Sequence, residues 1–170
     1  MRRTLVLTLA LVAAGCGSQT SAPAASPLVG DANRVDMCTI LTDQELTGLG
    51  IKLGSREQVD QLGAVGCQWV GNRITLSLER DKDSVAQYQA RRSDPAFTSF
   101  ADDMVNGRRG VHLSVERDRT DCTQLIDGGP VSLAVSVAQA GLYSGPKIDS
   151  CAEALRIAQL IESRLPKAGS

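Results

Sequence analysis

Cys67-Gln68-Trp69-Val70-Gly71-Asn72-Arg73-Ile74-Thr75-Leu76-Ser77-Leu78-Glu79-Arg80 is the stretch that sets the fold class. Its second half alternates. Ile74, Leu76 and Leu78 fall on one side, and Thr75, Ser77 and Glu79 on the other. Successive side chains of a strand point to opposite faces, so this pattern predicts a half-buried strand with one wet face. Cys67 to Val70 predicts a partner strand. Gly71-Asn72 between them fits a two-residue hairpin turn with glycine first. Two strands joined so closely are antiparallel.

Downstream, Asp83 to Arg92 predicts a helix, with Ser84-x-x-Gln87 as its capping box. Asp94-Pro95 opens a second helical piece, with Phe97, Phe100, Ala101 and Met104 at helical spacing. Asn106-Gly107 breaks it. Val111, Leu113 and Val115 alternate and predict a third strand. Cys122 to Ile126 gives a fourth, and Asp127-Gly128-Gly129-Pro130 is a turn cluster. Val131, Leu133, Val135 and Val137 mark a fifth. A last helix starts at Ser150, with Ser150-x-x-Glu153 as its cap and Ala154, Ile157, Ala158, Ile161 and Leu165 toward the core; Pro166 ends it. Upstream, Thr42-x-x-Glu45 caps a short helix through about Leu49. Gly54 to Gly66 is polar and reads as irregular. The result is an α+β domain: a largely antiparallel five-stranded sheet with helices packed on it.

The chain has 170 residues, and 42% hydrophobic with 22% charged residues is ordinary for a globular domain. A net charge of −1 gives no electrostatic footprint for nucleic acid. Met1-Arg2-Arg3 followed by the apolar run Leu5 to Ala14 reads as a secretory signal peptide, too short to span a bilayer. Val12-Ala13-Ala14-Gly15-Cys16 looks like a bacterial lipobox. In that resemblance Cys16 receives a diacylglyceryl group, its new amine is often acylated (palmitate is the expected chain), and the leader is cut before it. The alternative is an ordinary signal peptide that happens to end in Gly-Cys. Gly17 to Asn33 is rich in Ser, Ala, Pro and Gly and reads as a tether with a reach of about 20–25 Å. The expected organisation is a signal peptide over 1–15, a lipidated cysteine and tether over 16–35, one α+β domain over 36–166 and a tail over 167–170.

With Cys16 set aside, Cys38, Cys67, Cys122 and Cys151 remain. An even number in an exported domain argues for two disulfides. Four cysteines allow three pairings, which the sequence does not separate. Cys38–Cys67 and Cys122–Cys151 are favoured, because their separations are equal and each ties a helix start to a neighbouring strand. The C-x₂₋₄-C clusters of a zinc site are missing, so no metal and no cofactor is expected.

Leader and lipobox, then Cys38-Thr39-Ile40-Leu41-Thr42-Asp43-Gln44-Glu45-Leu46, then Cys67-Gln68-Trp69, then Cys151-Ala152-Glu153-Ala154 and Leu165-Pro166 form a recognisable series. It resembles the actinobacterial lipoproteins grouped as the domain-of-unknown-function 3558 family, over roughly Asp36 to Pro166. The resemblance implies an exported lipoprotein, disulfides and a fold similar in outline to the PsbP/Mog1-like α/β/α sandwich. It brings no catalytic residues.

Candidates for chemistry are few. Ser144-Gly145-Pro146-Lys147 matches S-x-x-K, but Gly-Pro keeps it from a helix and its partner motifs are missing. His112, between Val111 and Leu113, is expected on the wet face of its strand. The acidic stretches at Asp81, Asp102-Asp103 and Asp118 to Asp121 do not follow the spacing of a calcium loop. Arg91-Arg92 and Arg108-Arg109 suit anionic headgroups or local carboxylates. Trp69 is expected to pack on a disulfide; Phe97 with Phe100 is expected in the core, with a small pocket as the alternative. No catalytic residue is assigned. The chain is read as a non-enzymatic binding or interaction module, anchored by lipid on the extracytoplasmic face of the cell membrane. Its partner would be an envelope protein or a lipid, and not nucleic acid. A carrier of a small apolar ligand is the alternative, and a hydrolase ranks last.

Overall fold

The structure, a computed structural model, describes residues 31–115 and 121–167. The leader, Cys16, most of the tether, Asp118 and most of the tail lie outside the described residues. Seven strands form one sheet: β1 (Glu57–Gln61), β2 (Ala64–Val70), β3 (Ile74–Asp81), β4 (Ser99–Val105), β5 (Arg108–Ser114), β6 (Asp121–Asp127) and β7 (Ser132–Gln139). Their order is β1-β2-β3-β7-β6-β5-β4, and every neighbouring pair is antiparallel. Among the described residues three α-helices accompany it: α1 (Asp43–Gly48), α2 (Val85–Ala90) and α3 (Ser150–Glu162).

The expected five-stranded sheet is therefore corrected to seven strands. The two additions are the sheet's edges. β1 lies inside the stretch read as irregular. Its sequence, Glu-Gln-Val-Asp-Gln, has one apolar residue, and only Val59 is even half-buried. A solvated edge strand needs no apolar alternation, so it leaves no periodic signal. β4 replaces the helical piece expected through Met104. Phe100 and Met104 do sit four residues apart, but Asp102 shares their side of the strand, where Gln89 and Arg92 hold its carboxylate at 2.8 and 3.0 Å. Asn106 and Gly107 have φ of 50° and 88°. They form the left-handed Asn-Gly hairpin turn between β4 and β5 rather than a helix stop.

Smaller corrections follow the same physics. The β2–β3 turn falls on Asn72-Arg73, because Gly71 still pairs through its N–H to the Ile74 carbonyl at 2.7 Å. Gly71 is required for another reason: a Cβ there would come within 2.8 Å of the Gly50 carbonyl oxygen. The cap of α3 is Asp149, whose carboxylate accepts from the Ala152 N–H at 3.0 Å, and Ser150 is buried behind it. The boxes Thr42–Glu45 and Ser84–Gln87 both close.

One face of the sheet carries α1, α3 and the segment before α1. Leu76, Leu78, Trp69, Val135 and Val137 meet Ile157, Ala158 and Ile161 of α3 there. Burying each large side chain contributes about 1.5–3 kcal/mol. Two disulfides pin this face, Cys38–Cys67 with Cα atoms 5.1 Å apart and Cys122–Cys151 at 5.0 Å. They are the pairs the sequence reading favoured. Arg108, half-buried at the other end of α3, donates to the Glu162 carboxylate at 2.9 Å and to the Pro166 carbonyl at 2.7 Å. Ala32 and Val35, assigned to the tether from sequence, are buried against the domain.

Among the described residues the opposite face carries only α2 and the turn after it. Val85 and the half-buried Tyr88, Phe97 and Phe100 cover Val111, Leu113, Leu125 and Ala134. The register Ala64–Asp81–Ser132–Asp127 defines one end of the sheet. The β1–β2 turn, Leu62-Gly63, and the β6–β7 turn, Gly128-Gly129, project from that end. The β2–β3 turn and the loop after β7 lie at the other, where Ile74 pairs with Gln139.

Candidate functional site

Along the α2 side the sheet is only partly covered. The second face of β7 is built from Ser132, Ala134, Ser136 and Ala138, opposite its apolar Leu133, Val135 and Val137. Such short side chains leave room above them. The β1–β2 hairpin rises on one flank and α2 on the other. The space between is a groove of about 620 Å³ that runs from Leu62 and Ala64 at one end of the sheet to Thr123 and Val115 at the other. That volume suits a small ligand or an extended side-chain array.

Its wall toward α2 is apolar: Tyr88, Phe97, Leu113 and Val115. The rings of Phe97 and Phe100 are 5.5 Å apart, and those of Tyr88 and Phe97 are 6.4 Å apart. Besides the Gln89 bond to Asp102, two contacts fix α2 in place. The Ser132 hydroxyl donates to the Asp83 carbonyl at 2.8 Å. The Tyr88 hydroxyl donates to the Asp81 carboxylate at 2.6 Å. Burial first, and that hydrogen bond second, push the Tyr88 hydroxyl well above the ordinary tyrosine range. It stays a donor at any physiological pH.

The groove's charges are uneven. Glu79, Asp81, Asp83 and Asp94 line it against Lys82 and Arg91. Arg91 is already used: it pairs with Asp83 at 2.7 Å and lies over the Tyr88 ring at 4.9 Å. Glu79 differs from the rest. It is half-buried on β3, and its carboxylate accepts from the Ser77 hydroxyl. Among the described residues no cation pairs with it.

The residues singled out from sequence are scattered. His112 is opposite Val111 and Leu113 as expected; that side is the α3 face, where its side chain stays 35% exposed. Its Nδ1 lies 3.1 Å from the Asp103 carboxylate. Among the described residues no hydroxyl is hydrogen-bonded to the ring. Ser144 and Lys147 sit on the exposed loop between β7 and α3. Arg91, Arg92, Arg108 and Arg109 all pair with carboxylates, Arg109 with Asp127 at 2.6 Å. Trp69 is buried on the face of the Cys38–Cys67 bond. Among the described residues no group of three or more metal-ligating side chains occurs, and no helix is long and apolar enough to cross a membrane. The groove itself was not legible, because seven elements, β1, β2, β3, α2, β5, β6 and β7, contribute to it. The one local signal was the run of small residues on the second face of β7.

These features define a class: an antiparallel-sheet domain braced by disulfides on one face and grooved on the other. The chain belongs to the family described as protein of unknown function (DUF3558), whose model matches residues 11–164. No curated protein and no solved structure matches it.

Proposed function

We propose that the chain is a lipid-anchored, non-enzymatic binding module on the extracytoplasmic face of the cell membrane, and that the α2-side groove is its binding site. The anchor rests on the lipobox reading of Cys16 and on the likeness to actinobacterial lipoproteins, with their sandwich outline. The binding role rests on one observation: Glu79, with no basic partner among the described residues, lies on the floor of a groove whose other wall is aromatic and aliphatic. A ligand with a cationic group and an apolar body matches both. The carboxylate takes the cation, and the Tyr88 and Phe97 rings take the body.

The test uses the full chain in a non-ionic detergent, with benzyltrimethylammonium as probe and phenylacetate and benzyl alcohol as controls. Calorimetry is expected to show saturable binding of the cation alone, lost in Glu79→Gln. Equal binding of phenylacetate, or no effect of Glu79→Gln, removes the groove as a cation site. A carrier of a small apolar ligand or lipid is the second reading, favoured by Phe97, Leu113 and Val115 on one wall. A carried guest would leave with the purified chain as extra mass in a native mass spectrum.

A further inference from the structure

Leu62 combines two unfavourable features. It is 96% exposed, and its backbone is left-handed, with φ of 53°. Turns of this kind favour glycine or asparagine, and a leucine there costs about 1 kcal/mol. Among the described residues little repays that cost, because the side chain is almost wholly exposed at the mouth of the groove. Its neighbourhood is built as a tip. Gly63 follows with φ of 95°, and the Lys82 stem lies so close that a Cβ on Gly63 would meet its Cδ at 2.3 Å. An apolar residue at the apex beside a lysine stem is the arrangement that side chains adopt at a membrane interface, with the ammonium kept at headgroup level.

The path of the chain says what this tip faces. Ala32 packs on the β6–β7 turn: a Cβ on Gly128 would lie 3.0 Å from the Ala32 Cβ. The polypeptide therefore enters the domain at the same end of the sheet as Leu62, about 10–15 Å away across the intervening strands. Only 14 residues lie between Cys16 and Asp31. A domain held so closely by one end presents that end to its anchor.

We propose that the β1–β2 tip, Leu62 with the Lys82 stem beside it, is a membrane contact that enters the leaflet holding the anchor. This rests on the anchoring reading above. The groove's Leu62 end then opens at the lipid surface, and its Val115 end points away.

The experiment uses the full, acylated chain in vesicles of phosphatidylcholine and phosphatidylglycerol with brominated acyl chains. Leu62→Trp is compared with Leu142→Trp, which is equally exposed (Leu142 at 101%) but at the other end of the sheet. Emission is read above the constant background of buried Trp69. Leu62→Trp is expected to shift to shorter wavelength and lose most of its added emission, and Leu142→Trp to keep its own. If the chain floats with the vesicles and Leu62→Trp is unquenched, or both sites are quenched alike, the contact is wrong and the anchor stands. If the chain does not float, the anchor fails and the contact with it.

Discussion

Arg164, one turn beyond the core of α3, forms an ion pair with Glu45 in the first turn of α1, 119 residues earlier in the chain. The same guanidinium donates to the Ile40 carbonyl at 2.6 Å. Glu45 also closes its own capping box, accepting from the Thr42 N–H at 2.9 Å. One carboxylate thus joins the end of the last helix to the start of the first.

A pH dependence follows from that pair. The Arg164 hydrogen bond first, and the Thr42 bonds after it, hold the Glu45 carboxyl down at about 2, against an ordinary value of 4.5. A depressed carboxylate stabilises the fold above its unfolded value and loses that contribution as pH falls toward its folded one. The Glu45 contribution should therefore be complete above about pH 5 and fade between about pH 4.5 and 2. The pair is partly solvated, so Glu45→Ala should cost only about 1–2 kcal/mol at neutral pH. Urea melts of both chains from neutral to acidic pH should converge at the acid end. A gap that stays constant with pH would assign the cost to packing instead.

The disulfide on β2 makes a second prediction. Cys38→Ser should lower stability by about 3 kcal/mol, since the bond closes a 29-residue separation. Cys67, buried in the wild-type chain, should become alkylatable in mild denaturant, and Cys122 and Cys151 should stay protected. Reactivity at Cys122 in place of Cys67 would mean a different pairing in solution.

Gly66 and Gly48 form a matched pair of glycines. A Cβ on Gly66 would lie 2.0 Å from the Leu78 carbonyl oxygen and 2.8 Å from the Glu79 Cα. Both obstacles are backbone of β3, so neither can swing away. Gly66→Ala should force β2 off β3 and cost about 3 kcal/mol or more. Gly48, at the end of α1, has nothing within 4 Å. Gly48→Ala should be neutral or gain up to about 1 kcal/mol. Thermal melts of the two variants, moving in opposite directions, check the β2–β3 approach.

The parts legible in sequence were those with a local physical cause. Ile74, Leu76 and Leu78 alternate with polar residues because one face of β3 is buried under α3 and the other is open to the groove. Thr42-x-x-Glu45 and Ser84-x-x-Gln87 announce their helices because each box is closed by the residues that spell it. β1 was illegible because an edge strand with both faces wet needs no apolar residue. β4 was misread because Phe97, Phe100 and Met104 fit a helix period equally well, and only the Gln89 and Arg92 contacts with Asp102 explain a carboxylate on that side. Glu79 looked like one more polar residue on a wet strand face. Its significance comes from what stands around it, on β7, α2 and the β1–β2 hairpin, and distant partners leave no mark on spacing.

Both covalent staples lie on the α3 side of the sheet, and among the described residues the α2 side has none. The two halves of the domain should therefore breathe on different timescales. Amides under α3 would exchange with solvent only when the large core opens as a whole, against the limits set by its two intact cross-links. Those of α2 and the turn through Phe97 are held by one short helix and a few side-chain bonds, and would open on their own. The groove is thus roofed by the softer half. It can widen or narrow around a guest without disturbing the braced half to which the polypeptide's entry point is attached.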